Sequence, residues 1–271
     1  MKQIKVGAVN YLNTKPLIHN LHQIAPHWQL ELKVPSQLAT DLANERLDIA
    51  LIPVIEYFRH PGYRIIPGIS IASNGPVLSV TLFSKVPWQD IKTISLDEGS
   101  RTSIGLLRIL SKELYNVDFE STSLPLGADP EKTSADAVLL IGDRAMKACL
   151  SGFPYAYDMG KEWHEFANLP FVYAIWAVHE NAFGEVLTKY FAKSKKSGIA
   201  NVGNIAKQES ILLGLDAGFC RRYLSHIIQY NLGSKEIAGL ELYQHLAHKH
   251  GLIEQERSID FHDCRNFAKS H

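Results

Sequence analysis

Four consecutive residues, Ser100-Arg101-Thr102-Ser103, stand where an apolar run gives way to a helical pattern, LDEGSRTSIGLL over Leu96 to Leu107. A helix start leaves backbone N–H groups without partners and carries the positive end of the helix dipole. Hydroxyls and one guanidinium added there make a receptor for a carboxylate or a phosphate. Arg101 contributes a planar fork suited to a carboxylate. The plainer reading is that Ser100 only caps the helix, a common use of Ser.

Other chemistry-bearing residues gather at the ends of apolar runs. Asn10 and Asn13 follow the first run, Tyr57 follows another, and Ser70, Ser73, Asn74 and Gly75 form a small, hydroxylated stretch in which Gly75 would let backbone approach a ligand. Asp143, Tyr157 and Asp158 end later runs, and the two carboxylates are the side chains here that could take a proton. The set is mostly neutral donors and acceptors, which suits a small polar anion. It holds no cluster at metal-ligand spacing, no phosphate-binding Gly-Lys loop, no dinucleotide fingerprint and no Gly-x-Ser-x-Gly elbow. Of the 12 histidines, only His164 falls in a stretch near these residues.

The elements that must position them alternate. Ile4 to Val9, Leu30 to Val34 and Asp48 to Ile52 read as strands. Pro16 fits a first helical turn, and Pro35-Ser36 opens a helix with Leu38, Ala39, Leu42 and Ala43 on one face. Strand, helix, strand, helix, strand in that space predicts a parallel βαβαβ unit, with its ligand side at the carboxyl ends of the strands. The pattern restarts after Lys85-Val86-Pro87, with strands at Thr93 to Leu96, Ala137 to Ile141, Tyr155 to Asp158 and Phe171 to Val178. From Phe183 the chain reads as helical, with segments to about Lys195, through Ile205 to Leu213, from Asp216 to Tyr230 and from Ser234 to His250; the polar tail after Glu254 reads as loosely held. This predicts an α/β protein of two lobes around a central cleft. One lobe is formed by 1–85 and 178–271, the other, 86–177, is inserted into it, and the crossovers lie near Ser84 to Pro87 and Ala174 to Val178.

With 271 residues, 46% of them hydrophobic, the chain can bury two ordinary cores. Its 28 basic and 28 acidic residues cancel, so there is no global field to hold nucleic acid or an anionic membrane surface. No apolar run approaches the roughly 20 residues of a membrane span, and the first residues, MKQIKVGAVNYL, lack a secretory h-region, which predicts a cytoplasmic protein. Cys149, Cys220 and Cys264 are odd in number and widely spaced, which fits neither a disulfide framework nor a zinc site.

Six stretches, taken in order, carry a resemblance: VNYLNTKPL at 9–17, LDIALIPVIEY at 47–57, GPVLSVTLFSK at 75–85, LDEGSRTSIGLL at 96–107, DAVLLIGDRA at 136–145 and DMGKEWHEFANLPFVYAIWA at 158–177. Together they resemble the chorismate dehydratase family, which acts in the futalosine route to menaquinone. The Ser-Arg-Thr-Ser and Gly-Pro-Val motifs are its most specific marks. The resemblance implies a periplasmic-binding-protein-like (type II) fold without a secretion signal, and a cofactor-free hydro-lyase reaction of chorismate giving 3-[(1-carboxyvinyl)oxy]benzoate and water. One departure is Ala167-Asn168 before Leu169-Pro170, where Thr-Gly is usual, and it bears on the local turn.

That chemistry fits the residues. Loss of the C3 proton and the C4 hydroxyl makes the ring aromatic, so the enzyme must orient the substrate, supply a base and help the hydroxyl leave. Ser100, Thr102, Ser103 and the local N–H groups would hold one carboxylate, with Arg101 either joining them or bracing the lobe. Asn13, with Asn10 nearby, would hydrogen-bond the ring hydroxyl or the second carboxylate. Asp143 and Asp158 are the candidate bases; alternatively, the substrate's own enolpyruvyl carboxylate removes the proton. Two other functions stay open at this point: a non-catalytic two-lobed receptor for a small carboxylate, and the sister enzyme that forms dihydroxynaphthoate.

Overall fold

The computed structural model describes residues 3–180 and 186–262. The strands are β1 (Ile4–Val9), β2 (Trp28–Lys33), β3 (Ile49–Pro53), β4 (Tyr63–Ser73), β5 (Val80–Ser84), β6 (Thr93–Asp97), β7 (Glu120–Leu124), β8 (Ala137–Ile141), β9 (Tyr155–Asp158) and β10 (Phe171–His179), the inner ones short apolar runs and the edge strand β7 a polar, largely exposed Glu-Ser-Thr-Ser-Leu. They form two five-stranded sheets, ordered β2-β1-β3-β10-β4 and β7-β6-β8-β5-β9. Both sheets share one plan: three parallel strands, then a single antiparallel strand, then a fifth.

The antiparallel strand of each sheet is the one the lobe limits predicted from sequence misplace. β5, expected in the first lobe, pairs with β8 and β9 of the second, with Val80 opposite Ile141 and Thr81 opposite Asp158. β10, expected in the second lobe, pairs with β3 and β4 of the first, with Ile175 opposite Ile52 and Ser70. The crossing segments are therefore 74–79 and 168–170. A strand buried on both faces is continuously apolar, so its pattern carries no sign of which sheet takes it.

Helices cover the sheets where the chain supplies a start and one apolar face. Pro35–Ala43 begins with Pro in its first turn and buries Leu38, Ala39 and Leu42. Thr102–Tyr115 buries Leu106, Leu107, Ile109 and Leu110. Met159–Ala167 ends on Asn168 at φ 52°, a left-handed position that Asn tolerates, so the departure at 167–168 keeps the turn that Gly would serve. Trp163 of that helix packs edge-on against Phe171 and Tyr243 at ring separations of 5.1 and 6.3 Å, each such pair worth about 0.5–1.5 kcal/mol beyond area burial.

Two later expectations change, and one falls outside the described residues. Phe183, the expected start of a helix, lies outside the described residues, as does Cys264; the described helix is Val186–Ala200. The stretch 216–230 is not one helix: Ala217–Arg222 passes into a π-helical turn, Tyr223–Ile227, and then into extended backbone that bonds to β4, Gln229 N–H to Ala72 O at 2.8 Å and Ser70 N–H to Tyr230 O at 3.1 Å. The tail is docked rather than loose up to 262, because the Arg257 guanidinium donates to the carbonyls of Tyr57, His60 and Tyr63 and His262 N–H bonds to Ile65 O. Polar composition hid one arginine that satisfies three carbonyls.

Candidate functional site

A pocket of about 570 Å³, its open mouth included, lies between the lobes at the carboxyl ends of β1, β3, β6 and β8. This is where an open α/β sheet presents its loops and helix starts to a ligand. Its walls are Tyr11 and Asn13 after β1, Pro53 at the end of β3, Gly99 to Ser103 after β6, Gly142 after β8, and Val77, Ser79 and Val80 where the chain crosses between lobes.

The helix start at Thr102 is the most polar wall. Its first helical bond runs from Gly105 N–H to Arg101 O at 3.2 Å, and no side chain caps the turn. The Ser100 hydroxyl is buried and has no hydrogen-bond partner, so Ser100 does not act as a cap. A buried polar atom without a partner costs about 1–3 kcal/mol, and here it lines a pocket beside unpaired N–H groups. Ser103 lies one helical position beyond Thr102 in the same wall.

The other two residues of the motif brace that wall. Arg101 lines the pocket, but its guanidinium donates across the lobes to Glu56 Oε2 at 2.9 Å and to Thr40 Oγ1 at 3.2 Å. Glu56 is 4% exposed and takes a second cation, Arg59, at 2.7 Å, so the charge of Arg101 is already met within the protein. Thr102 Oγ1 accepts Ile55 N–H at 3.3 Å, and its carbonyl accepts the Tyr243 hydroxyl at 3.0 Å. A Cβ on Gly105 would collide with that same hydroxyl and with Ile55, so glycine is what lets the helix seat against the first lobe.

The facing wall is built on β1. Gly142, at φ 60°, sits so close to Tyr11 that a Cβ would lie 2.8 Å from the ring, which presses Tyr11 into the pocket wall. Burial, then the nearby Asp97 and Asp143 charges, push the Tyr11 phenol far above its ordinary value, so it stays neutral. Asn13 Nδ2 donates to the Tyr223 hydroxyl at 3.2 Å.

The two carboxylates proposed as bases are occupied elsewhere. Asp158 accepts four backbone N–H groups, those of Val77, Leu78, Gly160 and Lys161, at 2.7–3.0 Å. It caps the helix Met159–Ala167 and ties down the crossing segment, where Leu78 holds the strained left-handed φ of 63° and Gly75 sits at φ 107°. Asp143 accepts Leu12 N–H from the opposite lobe at 3.0 Å, and burial raises its carboxyl above the usual aspartate range. Neither lines the pocket.

Of the predicted residues, Asn13, Ser100, Arg101, Thr102 and Ser103 are brought together. Asn10 is exposed and accepts from Lys15 Nζ at 3.2 Å, and Asn74 is exposed. Tyr57 is fully buried, its hydroxyl between Ser258 O and Asp260 N–H. Ser70 donates to Asn231 O, Ser73 meets Gly75 O and the Tyr173 hydroxyl, and the Tyr157 hydroxyl accepts Trp88 N–H. β4 runs through 70 and 73, so these serines serve neighbours of the sheet. Sequence reasoning missed Tyr11, Ser79 and Tyr173 as wall residues. Tyr11 stands between the two named asparagines, and Ser79 lies two residues past the Gly-Pro-Val motif. Among the described residues no group of three or more His, Cys, Asp or Glu is placed to hold a metal, and no helix is long and apolar enough to cross a membrane.

Comparison with known proteins gives both a family and a fold. A family model described as menaquinone biosynthesis matches residues 4–249. The chorismate dehydratase of Thermus thermophilus is 28% identical over 90% of this chain and 94% of its own length; that of Campylobacter jejuni is 27% identical over 88% and 94%. Among solved structures, protein AF1704 of Archaeoglobus fulgidus superposes with a TM-score of 0.75 at 19% identity, covering 92% of this chain and 98% of that one. The periplasmic aliphatic sulphonate binding protein of Escherichia coli superposes at 0.64 with 14% identity, covering 96% and 91%. The fold is thus the periplasmic-binding-protein-like one expected.

Proposed function

The chain belongs to the menaquinone biosynthesis family, and on that premise we propose that it is a hydro-lyase that removes water from chorismate. The observation that carries this reading is the helix start at Thr102: an uncapped first turn and a partnerless Ser100 hydroxyl facing a pocket between the lobes. One substrate carboxylate fills that place, receiving the free N–H groups and the Ser100 and Ser103 hydroxyls. The dipole adds about 0.3–1 kcal/mol to charge-assisted hydrogen bonds of about 1.5–3 kcal/mol each. Arg101 acts behind them as the brace between the lobes.

Asn13 and Ser79 face the ring hydroxyl from the other side. No carboxylate or imidazole lines the pocket among the described residues, which supports the substrate-assisted form of the reaction. The enolpyruvyl carboxylate takes the C3 proton, the C3–H pair becomes the ring double bond, and the C4–O bond breaks. The departing oxygen collects that proton and leaves as water. The protein holds the near-attack geometry, which can supply several kcal/mol of the barrier. The cytoplasm as its compartment belongs to this same proposal, supported by the biosynthetic role of the family.

The test is incubation of the purified protein with chorismate alone, followed by ultraviolet and mass analysis. Loss of one water with a new benzoate chromophore is expected. Chorismate bound but unchanged would instead favour the receptor role.

A further inference from the structure

Beneath the pocket floor, Tyr223 joins two wall residues from different parts of the chain. It is 0% exposed, and its hydroxyl accepts Asn13 Nδ2–H at 3.2 Å and donates to Ser79 Oγ at 2.8 Å. Asn13 follows β1 of the first lobe. Ser79 ends the crossing segment that enters the second. Tyr223 itself opens the π-helical turn Tyr223–Ile227. π-Turns inside helices are rare and recur at functional sites.

With the Asn13 amide nitrogen toward Tyr223, the proton count sets the polarity of this chain. An amide nitrogen only donates, so Tyr223 must accept from Asn13 and direct its single proton to Ser79. Ser79 Oγ is then an acceptor toward Tyr223, and its own proton is left for the pocket. The Asn13 amide nitrogen is turned to Tyr223, and its oxygen accepts the Thr14 hydroxyl at 3.4 Å. Burial holds the phenol neutral, so the pattern persists across the working pH range.

We propose that Tyr223 is a positioning residue that fixes the hydrogen-bond polarity of Asn13 and Ser79, so that Ser79 presents a proton to the departing hydroxyl oxygen. The inference rests on the dehydratase reading. Ser79 keeps its proton throughout and lends a hydrogen bond; the proton that completes water still comes from C3. Tyr223 touches no substrate atom and acts only through the two residues it orients.

Tyr223→Phe keeps the ring and removes the hydroxyl. With chorismate as substrate, the expected result is a fall in kcat of about tenfold, the size of one hydrogen bond of about 1.4 kcal/mol, with KM changed by less than about threefold. The Y223F/S79A double variant is expected to be no slower than the slower single variant, since both remove one interaction. A purely structural role predicts instead a lowered unfolding midpoint with kcat per folded molecule unchanged, or additive losses in the double variant; either overturns the proposal. Exchange of the Asn13 side-chain amide protons, followed by nuclear magnetic resonance, reads the positioning without turnover. Slow exchange in the unsubstituted protein must become fast in Y223F, and equal rates in the two overturn the proposal. If the unsubstituted protein leaves chorismate intact while this exchange difference holds, the dehydratase reading fails and the positioning stands.

Discussion

Two helices of the second lobe begin at strand ends and are finished in opposite ways. At Met159 the start is closed from within: the Asp158 carboxylate collects Gly160 and Lys161 N–H together with two N–H groups of the crossing segment. At Thr102 the start is left open, with the Ser100 hydroxyl buried and without a partner. The physical groups are the same, a turn of N–H donors and the positive end of a dipole. What differs is the owner of the carboxylate. Where the protein supplies it, the helix end stabilises the fold; where it does not, the end holds its stabilisation in reserve for an anion from outside.

The largest effect that tests this contrast is at the closed start. Asp158→Asn replaces an acceptor of four N–H groups by one with a single acceptor oxygen, and is expected to cost about 3 kcal/mol of unfolding free energy in a urea titration. An unchanged midpoint with lost turnover would return Asp158 to the role of base. Next is the open start, where Ser100→Ala is expected to raise KM for chorismate about tenfold while leaving the urea midpoint equal or higher, since the hydroxyl removed has no partner in the protein. A drop in midpoint with unchanged KM would make this start another structural cap.

The smallest effect is expected at Asp143, the other strand-end carboxylate. Burial raises its folded carboxyl above the unfolded value of 3.8, so the folded protein holds the proton more tightly than the unfolded chain does. Its contribution to stability is present below about pH 4 and is lost as pH rises through the folded value. Asp143→Asn keeps an oxygen for Leu12 N–H. Its thermal midpoint is therefore expected to match the unsubstituted protein in acid and to exceed it increasingly toward neutral pH, with turnover unchanged. A large loss of turnover would break the contrast by making a protein carboxylate essential to proton removal.

The elements near the site were largely legible because their signals are local. An apolar run that stops at Ser-Arg-Thr-Ser announces a strand, a loop and a helix start, and 100–103 do line the pocket. What was not legible depends on distant partners. Nothing in Tyr57 says that Asp260 and Ser258 will enclose its hydroxyl from 200 residues away. Asp158 reads as a free strand-end carboxylate until the crossing segment delivers Val77 and Leu78 to it. Arg101 by itself suits either a carboxylate ligand or a brace, and the buried Glu56 that decides between them belongs to the other lobe. Asn168 is the converse case, since the choice of Asn for a left-handed turn was visible as a departure and its tolerance follows from its own short side chain.

The order of strands in the first sheet also sets a schedule for synthesis. β10 lies between β3 and β4, so β4 has no place in that sheet until residues 171–179 exist, whereas every strand of the second sheet falls within residues 80–158. At about 5–20 residues per second, the ribosome adds the roughly 100 residues between β4 and the end of β10 in about 5–20 s. During that interval β4 is an unpaired apolar edge, the kind of surface that chaperones attend. The lobe whose chain begins first is thus completed last, and the wall that bears the open helix start is ready before the lobe it must face.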